Sequence, residues 1–337
     1  MREIGSEFWT RYEFANDKVP NNEIDFLSGR SALRFIIDDI KQLRNIKKAL
    51  LPSYCCESMI IPFVQSGIDV SFYSVDCNSI DYPYENDADV VLLIDFFGYT
   101  CSQNVDIACY EKKAGKIIIY DATHKINGNS NVQKHADYSF CSYRKWFYCN
   151  CARVTKHTGN ILIDFPLKEH KEYIELRDSA AKIKKSYMMG LTDDKTSFLN
   201  KFEQAEKKLE NDYVGYAGQM VDFDINDIVL KRKNNAEYLI SKLIKIPEIK
   251  LWRKNILQQD APMFVPILVD PAIRNDLRKA LINESIYCPI HWPVNSYCKI
   301  PNKIYDSEIS LICDQRYNRE DMTRLISVIE KYFKSKR

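Results

Sequence analysis

The sequence of 337 residues lacks a long apolar run and lacks an excess of one charge. No apolar stretch reaches the roughly 18–20 residues that cross a membrane, and the longest candidate, V-V-L-L-I at 90–94, stops at Asp95. With 48 basic and 46 acidic residues, the net charge of +2 argues against a chain built as a whole to bind nucleic acid. The first eight residues contain early acids and no apolar signal core. We therefore expect a cytoplasmic protein without a membrane or nucleic-acid partner.

Glycine and proline are also scarce, with 10 and 12 residues, which excludes linker-rich and low-complexity architectures. The 11 cysteines are an odd number in a long chain without a secretion signal, so we expect reduced thiols. Close pairs occur at Cys55 and Cys56 and at Cys149 and Cys151, and neither pair has the spacing of a zinc site. We predict no metal site.

What the chain does contain is enough apolar sequence for a large core, since 45% of its residues are hydrophobic. Strand and helix patterns alternate over 28–125, which predicts an α/β fold with a doubly wound, mostly parallel sheet. The apolar runs within 89–96 and 116–120 are typical of strands buried on both faces. In such sheets ligands bind beyond the carboxyl ends of the strands, and Asp121 follows one of these runs.

The second half of the chain has a different pattern. From about 168 to 245 it is helical and charged, with faces that we interpret as solvated. Strand patterns then follow at 263–269, 285–292 and 309–312, with helical patterns between them. We therefore predict two domains, a large α/β domain over 1–245 and a small α+β C-terminal domain over 246–337.

Three segments contain residues suited to binding or catalysis. S-G-R-S-A-L at 28–33 opens a helix, whose amide groups and dipole suit a phosphate, although an ordinary helix cap has the same pattern. Asp121 and His124 follow a buried strand, where a structural, turn-capping aspartate is the alternative. Lys145 lies among aromatic and small residues beside Arg144, and desolvation and a neighbouring cation make a lysine nucleophilic. Taken alone, Lys145 would more often be an ordinary surface residue.

Four further segments along the chain add to these three. In order, the seven are S-G-R-S-A-L at 28–33, L-P-S-Y at 51–54, D-F-F-G-Y at 95–99, Y-D-A-T-H at 120–124, S-F-C-S-Y-R-K at 139–145, K-R-K-N-N at 231–235 and I-H-W-P at 290–293. By their order and spacing they resemble motifs of the fold-type-I pyridoxal-phosphate (PLP) enzymes, and within these the DegT/DnrJ/EryC1/StrS sugar-aminotransferase family. The resemblance covers most of the chain.

The resemblance implies a fold, a cofactor and three catalytic residues. The fold would be the PLP-dependent transferase fold type I, with a mostly parallel, seven-stranded-type sheet covered by helices on both faces. The cofactor would be pyridoxal 5'-phosphate. Lys145 would bind it covalently and then move the substrate's proton. Asp121 would pair with the pyridine nitrogen and keep it protonated, and His124 would lie near the phenolic oxygen.

The resemblance also implies how the phosphate and the ring are held. The backbone amides of Arg30 and Ser31 would bind the phosphate together with a serine hydroxyl of the lysine segment. We prefer Ser142, three residues before Lys145, over Ser139. The flat partner of the ring would lie within 54–56, and Tyr54, Cys55 and Cys56 all remain candidates.

The sequence departs from the family at two points. The residues after Lys145, C-N-C-A at 149–152, replace a glycine-rich run, and the chain is shorter than is usual for the family. The substrate pocket is therefore expected to be reduced or to be completed by a second subunit, and we expect a homodimer. Arg316 either grips a substrate carboxylate or anchors the last strand, and the sequence does not choose between these roles.

The function that the resemblance implies is transamination. An amino acid, foremost glutamate, would donate its amino group to a keto-sugar, foremost a nucleotide-linked one, for a surface polysaccharide or a secondary metabolite. Dehydratase relatives have a histidine in place of the lysine, so Lys145 favours transamination. The alternatives are a PLP-fold protein that has lost catalysis and serves as a scaffold, and a different PLP reaction such as racemisation or elimination at the same site.

Overall fold

The computed structural model of the protein describes residues 3–10, 20–77, 79–163, 166–211 and 213–336. The strands in these ranges are β1 Ile4–Gly5, β2 Glu23–Phe26, β3 Lys48–Pro52, β4 Asp69–Val75, β5 Ile80–Asp81, β6 Val90–Ile94, β7 Ile117–Asp121, β8 Tyr138–Ser142, β9 Ala152–Lys156, β10 Lys250–Leu251, β11 Val265–Leu268, β12 Ile286–Tyr287 and β13 Glu308–Leu311. The helices are α1 Gly29–Leu43, α2 Glu57–Gln65, α3 Ser102–Lys113, α4 Ser130–Gln133, α5 Lys171–Met188, α6 Lys195–Asn211, α7 Ile225–Leu243, α8 Pro271–Asn283, α9 Ile304–Ser307 and α10 Arg319–Lys334.

The largest sheet has the strand order β2-β9-β8-β7-β6-β3-β4-β5. Its central strands β4, β3, β6, β7 and β8 are parallel, while β9 and β2 at one edge and β5 at the other are antiparallel to their neighbours. Every residue of β6 and β7 is buried, so both faces of the sheet centre are covered. The predicted doubly wound, mostly parallel sheet is therefore confirmed.

The number of strands differs from the expected seven, because the described residues place eight strands in this sheet. The short edge strand β5 pairs antiparallel with the end of β4, with Ser74 opposite Asp81 and Val75 opposite Ile80. Because β5 has only two residues, the sequence contains no apolar run that would predict it.

The parallel arrangement determines where the candidate site residues lie. β3, β6, β7 and β8 all point the same way, and Ile94 at the end of β6 is level with Asp121 at the end of β7. Their carboxyl ends therefore form one edge of the sheet. Helix α1 begins at the same edge, because a Cβ atom built on Gly29 would lie 3.3 Å from the Cβ atom of Ser142.

The turn after β6 attaches the C-terminal part of the chain to this edge. Ala261 N donates a hydrogen bond to Gly98 O at 2.9 Å, and Met263 N donates to Phe97 O at 2.8 Å. Gly98 has a φ of +88°, and a Cβ atom there would lie 1.7 Å from Ala261 O. This position of the D-F-F-G-Y segment therefore requires glycine.

A second, three-stranded antiparallel sheet has the order β10-β11-β13. Its apolar core includes residues of α8 and α10, and also Ile4 and the side chains of Ala236, Leu239 and Leu243 from α7. Helix α7 thus packs on this core, although it precedes residue 246. The domain boundary at 245/246 remains a prediction.

The predicted strand over 285–292 is wrong for most of its length. Ile286 and Tyr287 form a strand, and they pair in parallel with Ile4 and Gly5 rather than with the terminal sheet. Pro289 cuts the pattern short, because proline has no N–H to donate to a neighbouring strand.

Candidate active site

A cavity of about 120 Å³ lies at the carboxyl edge of the large sheet. We call it the inner cavity, and its lining includes Arg30, Cys56, Asp121, His124, Ser142 and Lys145. A single water molecule needs about 10–15 Å³, so the space can accept part of a ligand larger than water. The structure therefore brings these six side chains, taken from separate segments, to one site.

The start of α1 forms one wall of the inner cavity. The Ser28 hydroxyl caps the helix by accepting a hydrogen bond from Ser31 N at 3.2 Å. The first N–H groups of a helix have no acceptor inside the helix, and Gly29 and Arg30 line the cavity. Because Ser142 lines it as well, amide and hydroxyl donors converge on a place suited to an anion.

Asp121 is buried at the end of β7 and lines the inner cavity. Its Oδ1 atom accepts a hydrogen bond from Thr123 N at 2.8 Å. Burial raises the pKa of the Asp121 carboxyl to about 6, against which the hydrogen bonds from Thr123 act. Among the residues that the structure describes, the donors to this carboxyl come from Thr123 alone, so the carboxyl keeps acceptor capacity for a ligand.

His124 is buried beside Asp121, with its ring stacked on Trp292 at a centroid distance of 5.3 Å. Its Nδ1 atom accepts a hydrogen bond from Phe97 N at 3.1 Å, so Nε2 carries the proton of the neutral ring. Burial, with the Lys145 ammonium second, lowers the pKa of His124 to about 3. His124 is therefore a neutral N–H donor.

Lys145 ends the short turn after β8, Tyr143–Lys145, and its side chain, which solvent reaches through the site, lines two adjoining clefts. Desolvation by the surrounding protein, followed by the Arg144 guanidinium, lowers the pKa of the Lys145 amine. Arg144 is itself paired with Glu206 of α6, at 2.7 Å between Nη1 and Oε1. A lysine with a lowered pKa has a larger neutral, nucleophilic fraction at a given pH.

Glu206 lies between two arginines, Arg144 and Arg177, which bring their Nη1 atoms to within 2.7 and 3.1 Å of Oε1. Burial alone would raise the pKa of Glu206, but the two guanidinium groups lower it to about 2. The helices α5 and α6 thus place a fixed charge cluster at the side of the inner cavity.

Several predicted cofactor-binding residues lie outside the cavity lining. The Ser31 hydroxyl contacts Ser28 Oγ and Tyr213 O, and the Ser139 hydroxyl contacts His157 Nε2 at 2.8 Å. Tyr54 and Cys55 are fully buried among neighbouring residues. The roles assigned to the backbone amide of Ser31 and to the side chains of Ser139, Tyr54 and Cys55 remain predictions.

A second cleft of about 590 Å³ adjoins the inner cavity at Arg144, Lys145 and Glu206. We call it the outer cleft, and its lining also includes Glu7, Arg278, His291 and Arg316. All five N–H groups of Arg316 are directed at acceptors, namely the Asp314 carboxylate and the carbonyl oxygens of Ser6 and Glu7. These contacts favour the anchoring role of Arg316.

Arg278 differs from Arg316 in this respect. Its Nε atom donates to Cys288 O at 3.2 Å, and its two amino groups have no acceptor among the described residues. Arg278 therefore offers spare donors to the outer cleft.

Neither a metal centre nor a membrane span is found in the described ranges. They contain no group of three or more His, Cys, Asp or Glu side chains that could hold a metal ion. No helix there is both long and apolar enough to cross a bilayer.

Comparison with known proteins gives a match in structure but not in sequence. No family model and no curated protein matches the chain. PseC of Helicobacter pylori, an aminotransferase involved in the biosynthesis of pseudoaminic acid, superposes with a TM-score of 0.66 at 14% identity, over 98% of this chain and 100% of that chain. NtdA of Bacillus subtilis with bound cofactor PMP gives 0.62 at 14% identity, over 93% and 73%. A DegT/DnrJ/EryC1/StrS aminotransferase of Brucella abortus gives 0.60 at 15% identity, over 92% and 85%.

The chain has the fold of the PLP-dependent aminotransferases. The predicted fold class is thereby confirmed. Four of the seven sequence segments that suggested this fold, those at 28–33, 120–124, 139–145 and 290–293, contribute lining residues to the inner cavity at the carboxyl edge of the sheet.

Trp292 and Glu206 are among the residues of this site that were not predicted from the sequence. Trp292 lines the inner cavity and stacks on His124, and Glu206 lines both cavities. The I-H-W-P segment at 290–293 is a signal for Trp292, although the sequence does not assign its place in the site. Glu206 lies in a charged amphipathic helix, and no pattern distinguishes it from the solvated residues around it.

Proposed function

We propose that the protein is a PLP-dependent aminotransferase. It moves an amino group from an amino acid, foremost glutamate, to a keto-sugar, foremost a nucleotide-linked one. One observation carries the proposal: Asp121 and Lys145, from different segments of the chain, line the same cavity at the carboxyl edge of the sheet.

The residues of the inner cavity fit pyridoxal phosphate. Asp121 is buried and, among the described residues, accepts hydrogen bonds from Thr123 alone, which suits a cationic ring nitrogen. The first turn of α1 and the Ser142 hydroxyl suit the phosphate. Lys145 supplies the amine that binds the cofactor covalently. These groups therefore complement the charged parts of the cofactor, its ring nitrogen and its phosphate.

When bound, PLP supplies a protonated ring that accepts electrons from the substrate. Asp121 stabilises the proton on the ring nitrogen, because a carboxyl with a pKa of about 6 is mostly ionised at pH 7. His124 would donate Nε2–H to the phenolic oxygen of the bound cofactor, since its Nδ1 atom accepts from Phe97 N.

Lys145 has two tasks in this proposal. Its amine would hold the cofactor before the substrate arrives, and Nζ would then take the proton from the α-carbon of the amino donor. Both tasks need a neutral amine, and desolvation together with Arg144 lowers the pKa of Lys145 in that direction. The Arg144–Glu206 ion pair keeps this neighbouring cation in place.

The outer cleft is the proposed place for the substrates, because it opens directly onto Lys145. Its polar and charged lining suits a hydroxyl-rich acceptor and a donor with carboxylates, and Arg278 has two amino groups available among the described residues. The structural likeness to PseC, an aminotransferase involved in the biosynthesis of pseudoaminic acid, supports a sugar acceptor. A cytoplasmic homodimer, in which a second subunit completes the cleft, is part of the same proposal.

The first experiment locates the cofactor. The purified protein is incubated with PLP and reduced with borohydride, and the modified peptide is identified by mass spectrometry. We expect a visible absorbance band before reduction and the label on Lys145. Lys145→Ala should lose both, whereas Lys113→Ala, an exposed lysine on α3, should retain them. A label elsewhere would contradict the assignment.

The second experiment tests the reaction. The loaded protein is mixed with single amino acids, and the conversion of the cofactor to its amino form is followed by absorbance. We expect conversion with glutamate, and a loss of about 10²–10⁴-fold in Lys145→Ala, the range of a missing acid–base group. Cofactor binding without conversion by any amino acid would indicate a scaffold. A racemised or eliminated product would indicate a different PLP reaction.

A further inference from the structure

Three hydrogen-bonded side chains lie beneath the outer cleft. Glu308 and Ser310 are two residues apart on β13, so they share one face of the strand. The Ser310 hydroxyl contacts Glu308 Oε1, and it lies 2.9 Å from His291 Nδ1. Glu308 Oε2 accepts a hydrogen bond from the backbone N of His291 at 2.7 Å. Both β13 side chains are fully buried.

We call Glu308, Ser310 and His291 the row, and His291 connects it to the outer cleft. It lines the cleft together with Lys145, and its ring is packed against Phe97 and Phe264 at centroid distances of 5.5 and 5.0 Å. Ser310 occupies Nδ1, and Nε2 has no hydrogen-bond partner within the described residues. The nitrogen available to a bound ligand is therefore Nε2.

The row has two complete proton arrangements. With Glu308 protonated, its O–H donates to Ser310 Oγ, the serine O–H donates to His291 Nδ1, and Nε2 carries the ring proton. With Glu308 ionised, the serine donates to the carboxylate, Nδ1–H donates to the serine, and Nε2 is an acceptor. Passing from the first to the second shifts a proton along each of the two hydrogen bonds and releases one proton from Nε2, so the balance is closed.

The groups around the row decide which arrangement prevails. Burial raises the pKa of Glu308 to about 8, although the hydrogen bonds from His291 N and Ser310 and, after them, the Arg274 guanidinium of α8 act in the opposite direction. Tyr54 and Cys288 remain neutral beside Glu308, because burial, with the Glu308 charge acting in the same direction, raises the pKa of both groups. Glu308 therefore keeps its proton at neutral pH.

The ring itself stays uncharged throughout. Burial lowers the pKa of His291 well below its usual value, and the neighbouring His124 and Lys145 act in the same direction. Any change at Nε2 is thus a change of tautomer in a neutral imidazole rather than a gain of charge.

We propose that Glu308, through Ser310, sets the tautomer of His291, so that Nε2 presents an N–H donor to the outer cleft at neutral pH and an acceptor in alkali. The group that it meets is a carbonyl or hydroxyl oxygen of the bound acceptor, a part of the inference that rests on the proposed function. Glu308 and Ser310 are positioning residues, and His291 is the residue that contacts the substrate.

The relay is tested without turnover by nitrogen NMR of the protein labelled with ¹⁵N-histidine. The chain has five histidines, and His291→Gln assigns the signals of interest. We expect Nε2 of His291 to be protonated at pH 6–7, and the proton to move to Nδ1 above a midpoint near pH 8. A tautomer that stays constant between pH 6 and 10 would overturn the proposal.

Two variants separate the relay from a general structural effect. In Glu308→Gln, the amide group copies the protonated carboxyl, so we expect the Nε2–H tautomer at every pH. Glu237→Gln, an exposed site on α7, should titrate like the wild type. Ser310→Ala removes the connecting hydroxyl, and the tautomer should no longer follow Glu308. Titration of His291 that is unchanged in Ser310→Ala would overturn the relay even if Glu308→Gln did not fold.

The substrate contact needs a second measurement. If Nε2–H binds an oxygen of the acceptor, the acceptor KM of the wild type should rise about 5- to 10-fold from pH 7 to pH 9, and that of Glu308→Gln should not. A KM that rises equally in both proteins would contradict the contact. Absence of any transamination would count against the proposed function, while the NMR result would still decide the relay.

Discussion

Asp95 and Asp121 follow neighbouring parallel strands of the same sheet, but the two carboxyls have different surroundings. Asp95 accepts hydrogen bonds from four donors, the backbone N of Cys101 and the side chains of Asn104, Tyr120 and Asn129. Asp121 accepts from Thr123 and lines the inner cavity. A strand-end aspartate is thus structural when its oxygens are saturated, and available for a ligand when they are not.

Burial raises the pKa of both carboxyls, and the donors around Asp95, foremost Asn129, oppose this rise. The same substitution at the two positions therefore separates a binding role from a structural one. An asparagine has nearly the shape of an aspartate but cannot carry the charge, and it turns one acceptor into a donor.

The largest expected effect is the loss of transamination in Asp121→Asn. Without the buried charge, the proton on the cofactor ring nitrogen loses its partner, and we expect the rate of the half-reaction to fall about 10²–10³-fold, the range seen when one preorganised electrostatic contact is removed. Single-turnover absorbance with saturating amino donor measures it. Asp95→Asn should keep its rate within about threefold, provided that it is folded. Equal losses in both variants would remove the distinction between the two carboxyls.

The next effect concerns stability against pH in the cofactor-free protein. The pKa of Asp121 is about 6 in the folded protein and has its ordinary value of 3.8 in the unfolded chain, so between these values the folded protein holds the extra proton. Stability therefore falls as the pH rises from about 4 to 6, by up to about 3 kcal/mol from this group at 1.36 kcal/mol per pKa unit. Asp121→Asn should lose this part of the slope in urea unfolding at a series of pH values. A slope identical to that of the wild type would show that Asp121 is better solvated than the structure indicates.

A smaller effect is expected on the stability of Asp95→Asn. The amide nitrogen of asparagine would face one of the donors from which Asp95 now accepts a hydrogen bond. That buried donor would then have no acceptor. We expect the free energy of unfolding to fall by about 2 kcal/mol. Thermal or urea unfolding at pH 7 measures the change. A variant as stable as the wild type would mean that the hydrogen-bond network rearranges at no cost.

The sequence predicted those parts of the fold and site that depend on local patterns. Continuous apolar runs located β6 and β7, and the S-G-R-S-A-L segment located the start of α1. Asp121, His124 and Lys145 meet in one cavity because each lies at the end of a parallel strand or just beyond it. Once the strands are known to be parallel, their carboxyl ends must share an edge.

Contacts between distant segments could not be predicted in this way. The structural role of Asp95 depends on Asn104 and Asn129, which no spacing rule connects to it. Which residue of 54–56 can contact a cofactor ring depends on the direction of each side chain. Cys56 lines the inner cavity, whereas Tyr54 packs against Trp252 and the rings around it. Likewise, the pairing of β12 with β1 joins segments from opposite ends of the chain.

The smallest expected effect concerns two serines on β8. The sequence favours Ser142 over Ser139 as the phosphate-binding hydroxyl but does not exclude Ser139. Ser142 lines the inner cavity, and Ser139 is paired with His157. If the Ser142 hydroxyl contacts the cofactor phosphate, Ser142→Ala should raise the dissociation constant of PLP about 5- to 10-fold, the value of one hydrogen bond. Ser139→Ala should change it less than about twofold. Because covalent attachment would mask the difference, the dissociation constants of both variants are best measured by calorimetric titration in a Lys145→Ala background. A larger increase in Ser139→Ala than in Ser142→Ala would place the phosphate site near Ser139 instead.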